Sequence, residues 1–161
     1  MGPISMTESE HRAAVVAEAK TWIGTRFSMN ANLKQVGTDC GRFPRSVLAA
    51  CGVPVPDLPS HWPRDFAQHA MADSEPYIAL IQQALVEVDL PEPGDLAVFK
   101  PLRSRCYSHA AIVVQWPNFI HARGVGGHPQ VEEGVAGEWP LEQSLVRFFS
   151  AFSHYSVGSS Q

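Results

Sequence analysis

The sequence predicts an α+β domain, in which amino-terminal helices pack against a central antiparallel sheet of about five strands. Two observations support this fold class. Helix signals dominate the chain up to about residue 86, whereas apolar segments separated by short turns follow Pro91. Strands joined by short turns pair antiparallel. A chain of 161 residues is long enough for one such domain with a sizeable core.

The helix predictions rest on the residues at each helix end. The first helix begins at a capping box formed by Thr7 and Glu10, continues to about Ile23 and can be closed by Gly24. A loop is predicted over residues 25–39, which contain asparagine, glycine and aspartate. Further helices are predicted at residues 40–51, 64–72 and 77–86, the last with Pro76 in its first turn.

Five strands are predicted in the second half of the chain, where apolar and β-branched residues alternate with turn residues. They lie at residues 96–100, 109–116, 119–123, 130–135 and 145–152. Pro117 and Asn118 form the turn between the second and the third strand. The predicted domain therefore spans residues 7–153. Residues 1–6 are interpreted as a leader or tag remnant, and residues 154–161 as a flexible tail.

The composition argues against several classes of function. The net charge of −4 and the absence of a lysine and arginine run argue against nucleic acid as a partner. No apolar run approaches the roughly 18 residues of a membrane span, so we expect no membrane insertion. No signal peptide is recognisable at the start of the sequence. We expect the isolated domain to be a monomer.

The cysteine and histidine patterns predict neither a disulfide framework nor a metal site. The chain has three cysteines, Cys40, Cys51 and Cys106, and no two of them form a CxxC pair. Its seven histidines form no HxxxH or HExxH pattern. The sequence therefore gives no support for a metal site. Cys51 is interpreted as a packing residue and Cys106 as a bystander in a loop.

Cys40 is the candidate nucleophile. It follows a loop that ends at Asp39 and precedes helical residues, and a helix amino terminus favours a thiolate. Its backbone N–H would also be available to an oxyanion. Pro44 would be costly inside a helix, so the helix must begin at or after Cys40. Two alternatives stay open at this point: a helix that starts at Cys40, or one that starts near Phe43 and leaves Cys40 on a distorted turn.

Two histidines are candidates for the base and its partner. His109 opens the most apolar strand, from which its ring can reach a helix end. His121 lies in the next strand, and the turn at residues 117–118 makes the two histidines near neighbours across the strand pair. His121 could then bind the second ring nitrogen of His109 and fix its tautomer. The alternative reading is that Cys40 is a buried apolar thiol and that both histidines are structural.

Four segments, GTDCGRF, PGDLAVF, SHAAIVV and FIHA, occur in an order that resembles the NlpC-type family of papain-like cell-wall peptidases. The resemblance runs from about Ala13 to Phe152. It is strongest to the branch encoded with phage tail genes, because VLAACGVPVPDLP, RCYSHAAIVVQWP and RFFS are similar to that branch. The resemblance implies a papain-like fold with Cys40 as nucleophile, His109 as general base and His121 as the third residue.

The resemblance also implies a substrate and a place of action. The family cleaves peptide stems of peptidoglycan, often beside γ-D-glutamyl residues and diamino acids, without a metal or organic cofactor. The implied partners are these stems and phage tail-tip proteins. We expect synthesis in the cytoplasm without a signal peptide and action at the cell wall or periplasm, with delivery by a virion or phage-like particle.

Some positions depart from the family pattern. Where the family commonly has Pro-Tyr before the loop, this chain has Arg26 and Phe27, so a tyrosine hydroxyl is missing there. Arg42 stands where a small residue is usual and could meet a substrate carboxylate, and Pro44 replaces an aliphatic residue. The predicted substrate-binding residues are Phe27, Asp39, Arg42 and Ser108.

Three other functions remain open on the sequence. The first is a secreted amidase effector of a contact-dependent bacterial system, which would cut the same bond. The second is a catalytically inactive tail-assembly module, which the departures at Phe27 and Pro44 motivate. The third is acyl transfer on lipid or small amide substrates, because a fold alone does not decide the chemistry.

Overall fold

A computed structural model of the chain describes residues 5–60 and 74–153. The helix predicted at residues 64–72 and the tail at residues 154–161 lie outside the described residues, as does the leader apart from its last two residues. The described helices are α1 (Glu8–Lys20), α2 (Arg42–Ala50) and α3 (Pro76–Ile81). None of them is long and apolar enough to cross a membrane.

Six strands form the main sheet, and two short strands form a separate hairpin. The hairpin consists of β1 (Asn32–Leu33) and β2 (Gly37–Thr38), inside the segment predicted as a loop. The main sheet contains β3 (Val86–Val88), β4 (Leu96–Lys100), β5 (His109–Gln115), β6 (Asn118–Ala122), β7 (Val131–Val135) and β8 (Leu145–Ser150). Their order is β3-β8-β4-β5-β6-β7, and every neighbouring pair is antiparallel.

The predicted fold class is confirmed, but the main sheet has six strands instead of five. The additional strand, β3, includes Val86, which the sequence predicts at the end of a helix. That helix ends at Ile81, and the backbone turns over the next four residues. Val86 and Val88 then alternate with Glu87, a pattern typical of a strand with one solvated face. A strand of three residues is too short to show a periodicity that would distinguish it from the end of a helix in the sequence.

The capping box of α1 is confirmed. The backbone N–H of Glu10 donates to the Thr7 hydroxyl at 3.2 Å, and the Thr7 N–H donates to the Glu10 carboxylate at 2.8 Å. The regular helix ends at Lys20, three residues earlier than predicted, because Thr21 and Trp22 donate to carbonyls only three residues back. These shorter bonds tighten the last turn before Gly24.

The sheet separates two apolar clusters. On one face, Ala110 and Ile112 of β5 pack with Val15 of α1 and with Phe43 and Val47 of α2, in the main core. On the other face, the alternate residues of β5 pack in a smaller cluster that includes Phe99, Ala111, Val113, Phe119 and Leu141. His109 and His121 share this second face by alternation, because successive strand residues point to opposite sides.

Candidate active site

The loop before α2 positions Cys40, and Asp39 holds the turn that leads into that helix. The Asp39 backbone carbonyl accepts the first helical bond, from Phe43 N at 3.1 Å. Its carboxylate accepts from the backbone N–H groups of Gly41 at 3.1 Å and Arg42 at 2.9 Å. These bonds fold Cys40 into a turn directly before the helix, whose own N-cap position is Gly41. Regular helix begins at Arg42, between the two starting points left open by the sequence.

Pro44 is compatible with this start. A residue at position 44 would donate its N–H to the carbonyl of Cys40, and a proline has no N–H to donate. Because Cys40 lies in the turn directly before the helix, the missing bond falls at the end of the helix, where unpaired groups are normal. Pro44 is buried and therefore packs on the domain interior. The helix that follows the Cys40 turn is of ordinary length. Gly52, just after its carboxyl end, has φ +76°, a conformation that often terminates a helix.

The Cys40 thiol is protonated in the resting site, contrary to the thiolate expected from the sequence. Burial and the Asp39 carboxylate raise the pKa of Cys40 to about 12, against the backbone N–H groups of Cys40 and Gly41 and the Arg42 guanidinium, which lower it. The backbone N–H groups before the helix thus lower the pKa of Cys40, but desolvation of the buried thiolate raises that pKa by more. The thiol donates a hydrogen bond to the backbone carbonyl of Ser108, with a distance of 3.6 Å between Sγ and the oxygen.

His109 and His121 form a direct hydrogen bond. His121 pairs with Ala111 across the β5–β6 ladder, and His109 lies two residues along the same face of β5. Nε2 of His109 is 2.8 Å from Nδ1 of His121, and the rings meet at 87° with their centroids 5.0 Å apart. The structure thus brings together the two histidines that the sequence predicted to be near neighbours.

Both imidazoles are uncharged at neutral pH because they are buried. Burial, together with the neighbouring His121, holds the pKa of His109 well below 6.5. Burial, together with the Arg123 guanidinium, lowers the pKa of His121 to about 4. The aromatic rings of Phe99 and Phe119 lie against His109 and His121, at centroid distances of 6.1 Å and 5.0 Å. A neutral imidazole can accept a proton, so this pair can act as a base.

Cys40 and His109 line one open cleft with a volume of about 570 Å³. Two of the predicted substrate-binding residues, Phe27 and Ser108, line the same cleft. His121 does not line it and stands behind His109, with 1% of its surface exposed. Among the described residues the thiol has no hydrogen bond to His109, so proton transfer requires Sγ to turn from the Ser108 carbonyl towards that ring.

The other two predicted substrate-binding residues, Asp39 and Arg42, are buried and bind each other. Nη1 of Arg42 donates to Oδ2 of Asp39 at 2.7 Å, and Nη2 donates to the carbonyl of Pro59. The backbone N–H of Asn30 also donates to Oδ2 of Asp39, at 2.8 Å. Their contacts in this structure position the Cys40 turn.

Two residues near the site were missed by the sequence reasoning. Arg123 is buried at the end of β6 and lines the cleft, and its guanidinium pairs with Glu132 and lies 5.1 Å above the Trp139 ring centroid. Arg123 directly follows the FIHA segment, and this adjacency to His121 is the sequence feature that could have indicated it. Tyr77 of α3 packs beside Gly41, and nothing in the sequence links these two positions.

No metal-binding group of three or more His, Cys, Asp or Glu residues occurs in the part of the chain that the structure describes. All three cysteines are free thiols, and neither Cys51 nor Cys106 lines the cleft. The site brings together a thiol, a neutral imidazole and a second imidazole that is hydrogen-bonded to the first.

A model of the NlpC/P60 family matches residues 24–143 of the chain, which include all three candidate residues. The chain belongs to the NlpC/P60 family. Membership in this family supports a function as a cysteine hydrolase that cleaves peptides at the cell wall. No curated protein sequence matches the chain.

Solved structures of NlpC/P60 proteins share this fold. The NlpC/p60 domain of the peptidoglycan hydrolase SagA is 24% identical, with a TM-score of 0.52, over 84% of this chain and 96% of that chain. An NLP/P60-family protein similar to a lipoprotein, from Staphylococcus aureus, is 16% identical, with a TM-score of 0.59, over 91% of this chain and 44% of that chain. This chain therefore spans under half the length of that relative.

A third NlpC/P60 structure bears on activity. RipD from Mycobacterium tuberculosis is described as a non-catalytic NlpC/p60 domain protein adapted to peptidoglycan binding. It is 13% identical to this chain, with a TM-score of 0.55, over 87% of this chain and 96% of that chain. Identities this low establish a common fold, so the activity of this chain must be argued from its own residues.

Proposed function

We propose that this NlpC/P60 chain is a cysteine peptidase that cleaves the peptide stems of bacterial peptidoglycan next to a γ-D-glutamyl residue and a diamino acid. Cys40 is the nucleophile, His109 the general base, and His121 the residue that orients His109. One observation carries the proposal: the Cys40 thiol and His109 line the same cleft, and His109 is hydrogen-bonded to His121.

The histidine pair supports a specific proton arrangement. One proton lies between Nε2 of His109 and Nδ1 of His121, and the direction of this bond sets the tautomer of both rings. If His121 donated, His109 would carry its proton on Nδ1 and could not act as a base. If His109 donates, its Nδ1 has a free lone pair for the thiol proton. In the proposed mechanism, His109 donates and His121 accepts.

The depressed pKa of His121 keeps that arrangement over a wide pH range. With a pKa of about 4, His121 stays neutral at neutral pH and its Nδ1 remains an acceptor. When His109 takes the thiol proton and becomes an imidazolium, its Nε2–H still donates to His121. The hydrogen bond that orients the His109 ring is therefore kept in both protonation states of that ring.

The reaction is an acyl transfer in two steps. The Cys40 proton moves to Nδ1 of His109, Sγ attacks the scissile carbonyl carbon, and the C–N bond breaks as His109 returns the proton to the leaving amine. Water then attacks the thioester and releases the acid product. Because burial and Asp39 raise the pKa of Cys40 to about 12, the thiol proton must move to His109 before or while Sγ attacks.

For delivery, we propose a phage or phage-like tail particle that carries the domain to the wall, with tail-tip proteins as partners. This part rests on the resemblance of the RCYSHAAIVVQWP and RFFS segments.

A second candidate is a non-catalytic module, in which the same cleft only binds or assembles. The observation in its favour is the resting thiol, whose proton is held by the Ser108 carbonyl and whose pKa is raised to about 12.

One experiment tests both candidates. Defined muropeptides are incubated with the protein, and the fragments are identified by mass spectrometry. We expect cleavage by the wild type and a fall on the order of 10⁴-fold or more for Cys40→Ala, because loss of a nucleophile removes the covalent route. The matched control is Cys51→Ala, which removes a free thiol at the other end of α2 and should keep activity. Fragment release by Cys40→Ala at the wild-type rate would overturn the peptidase, and inactivity of the wild type would favour the module.

A further inference from the structure

A second, much smaller cavity adjoins the cleft at Cys40. Its volume is about 30 Å³, which suits a single oxygen atom or one water. It shares Met29, Cys40 and Ser108 with the cleft, so the two spaces meet at the nucleophile. Its remaining walls include Gly41 and Tyr77. The cavity is therefore a recess beside the sulfur, on the side where α2 begins and α3 packs.

Two hydrogen-bond donors border this recess. The phenol of Tyr77 is buried, and a Cβ placed on Gly41 would lie 3.6 Å from the Tyr77 hydroxyl oxygen. This hydroxyl therefore lies beside Gly41, the residue that follows Cys40. The backbone N–H of Cys40 is the second donor, and among the described residues it donates to no other residue.

The Asp39 carboxylate next to the recess is already occupied. Its two oxygens accept four hydrogen bonds, from the backbone N–H groups of Asn30, Gly41 and Arg42 and from the Arg42 guanidinium. Its charge is thereby shared with a buried cation. Burial, together with Cys40 and Asp39, holds the pKa of Tyr77 well above 10, so its hydroxyl keeps the proton that a donor needs.

We propose that this recess receives the carbonyl oxygen of the scissile bond, and that the Tyr77 hydroxyl and the Cys40 backbone N–H donate to the oxyanion that forms there. The inference rests on the proposed role of Cys40 and makes Tyr77 a catalytic residue. When Sγ bonds to the carbonyl carbon, the carbonyl electron pair moves to the oxygen in the recess. When the C–N bond breaks, that pair re-forms the carbonyl.

The test compares two reactions of Cys40. Acylation by p-nitrophenyl acetate passes through an oxyanion and releases p-nitrophenolate, whereas alkylation by iodoacetamide displaces iodide and forms no oxyanion. Tyr77→Phe should slow acylation by roughly 10²-fold, the usual effect of losing one oxyanion donor. At the same pH, alkylation should change by less than about twofold, because it depends only on the thiolate. The control is Tyr107→Phe, whose ring stacks near Arg147 and does not line the recess, and which should leave both rates unchanged.

A second variant fills the recess without removing a donor. Gly41 has φ −91° and ψ −38°, which any residue adopts, and a Cβ there would meet Tyr77 and Leu58 at ordinary distances of 3.6 Å and 3.7 Å. Gly41→Ala should therefore keep or raise the melting temperature while it slows acylation. A purely structural role for this region would not slow acylation in a variant that is equally stable.

The outcomes separate this inference from the proposed function. If Tyr77→Phe slows acylation and alkylation equally, Tyr77 acts on the thiol and the oxyanion role is overturned. If neither rate changes while the wild type is acylated at Cys40, the inference alone is wrong. If wild type and Cys40→Ala react equally with the ester, Cys40 is no nucleophile, and the proposed function fails together with the inference.

Discussion

The hydrogen bond between His109 and His121 controls which nitrogen of His109 is available to Cys40. Nε2 of His109 is bound at 2.8 Å, which leaves Nδ1 for the thiol proton. The side chain at position 121 must therefore be an acceptor at a fixed distance from β5. An asparagine carbonyl can also accept this bond, whereas an alanine leaves Nε2 with no partner in a buried place.

His121→Ala should lower kcat on muropeptides by about 10² to 10⁴-fold, because His109 loses its orientation and its tautomer. His121→Asn should recover part of this loss, since its carbonyl oxygen can accept from Nε2 of His109. The matched control is His128→Asn, at an exposed histidine with φ +52°, a conformation that asparagine tolerates. Equal activity of His121→Ala and wild type would exclude a role for His121 in orienting the base.

At the scale of single residues, the sequence predicted that His109 and His121 are neighbours but not the direction of the Cys40 pKa shift. The turn at residues 117–118 was enough to place His121 near His109. The direction of the Cys40 pKa shift was wrong, because burial and the adjacent Asp39 outweigh the helix end. Burial of a loop residue depends on distant segments of the chain, so a local pattern cannot supply it. The approach of Tyr77 to Gly41 is unpredictable for the same reason.

Helix α2 is anchored by Asp39, which accepts from the backbone N–H of the first helical residue, Arg42, and also pairs with the buried guanidinium of that residue. Removing the carboxylate leaves a guanidinium buried without its counter-ion and backbone N–H groups without an acceptor. Both losses fall on the turn that holds Cys40. The stability of this element and the geometry of the nucleophile therefore depend on the same side chain.

Asp39→Ala should lower the free energy of unfolding by about 3 to 5 kcal/mol, the usual effect of breaking a buried ion pair. Denaturation in urea, followed by circular dichroism, measures the change. The control is Asp57→Ala, which breaks the pair with Arg45 on the same helix, where the Asp57 side chain is 99% exposed. Exposed pairs contribute about 0 to 1 kcal/mol. A loss for Asp39→Ala no larger than the loss for Asp57→Ala would contradict the anchoring role.

The elements themselves were predicted unevenly. Long, strongly patterned elements such as α1 and β5 were found close to their observed bounds. Pro44 limited the start of α2 to within a few residues, because the cost of a proline inside a helix is a local property. The hairpin β1–β2 and the strand β3 were missed, since strands of two or three residues exist only through their pairing partners.

The whole domain should lose stability in mild acid, because folding buries both histidines of the site in their neutral form. Their pKa values are lowered in the folded state, to about 4 for His121 and well below 6.5 for His109. The unfolded chain therefore binds more protons than the folded chain below pH about 6.5. The corresponding stabilisation is complete above that pH and is lost as the pH falls towards the folded pKa values.

Between pH 6.5 and 5, the free energy of unfolding should fall by up to about 1.4 kcal/mol per pH unit for each of the two histidines. Urea denaturation at several pH values measures this slope. His121→Asn removes one of the two groups and should reduce the slope by about half. A wild-type stability that is flat over this range would show that the histidines are not buried in their neutral form.

For the molecule as a whole, the sequence predicted the α+β class and the antiparallel sheet, and both are confirmed. The order of the strands in the sheet could not be predicted from the sequence. Runs of apolar residues show that strands exist, whereas the choice of neighbours depends on packing between distant parts of the chain. Strand β8 is such a case, because it pairs with both β3 and β4 although it is far from both of them in the sequence.

The place of β8 has a consequence for the order in which the protein can form during synthesis. Strands β4 to β7 follow one another in sequence and can pair as they leave the ribosome, which brings His109 and His121 together early. Strand β3 has no partner until Leu145–Ser150 emerges, because β8 is its sole neighbour in the sheet. Until then the edges of β3 and β4 that β8 covers in the folded protein are open to other chains. Synthesis of β8 joins the two parts of the sheet and closes both edges in one step.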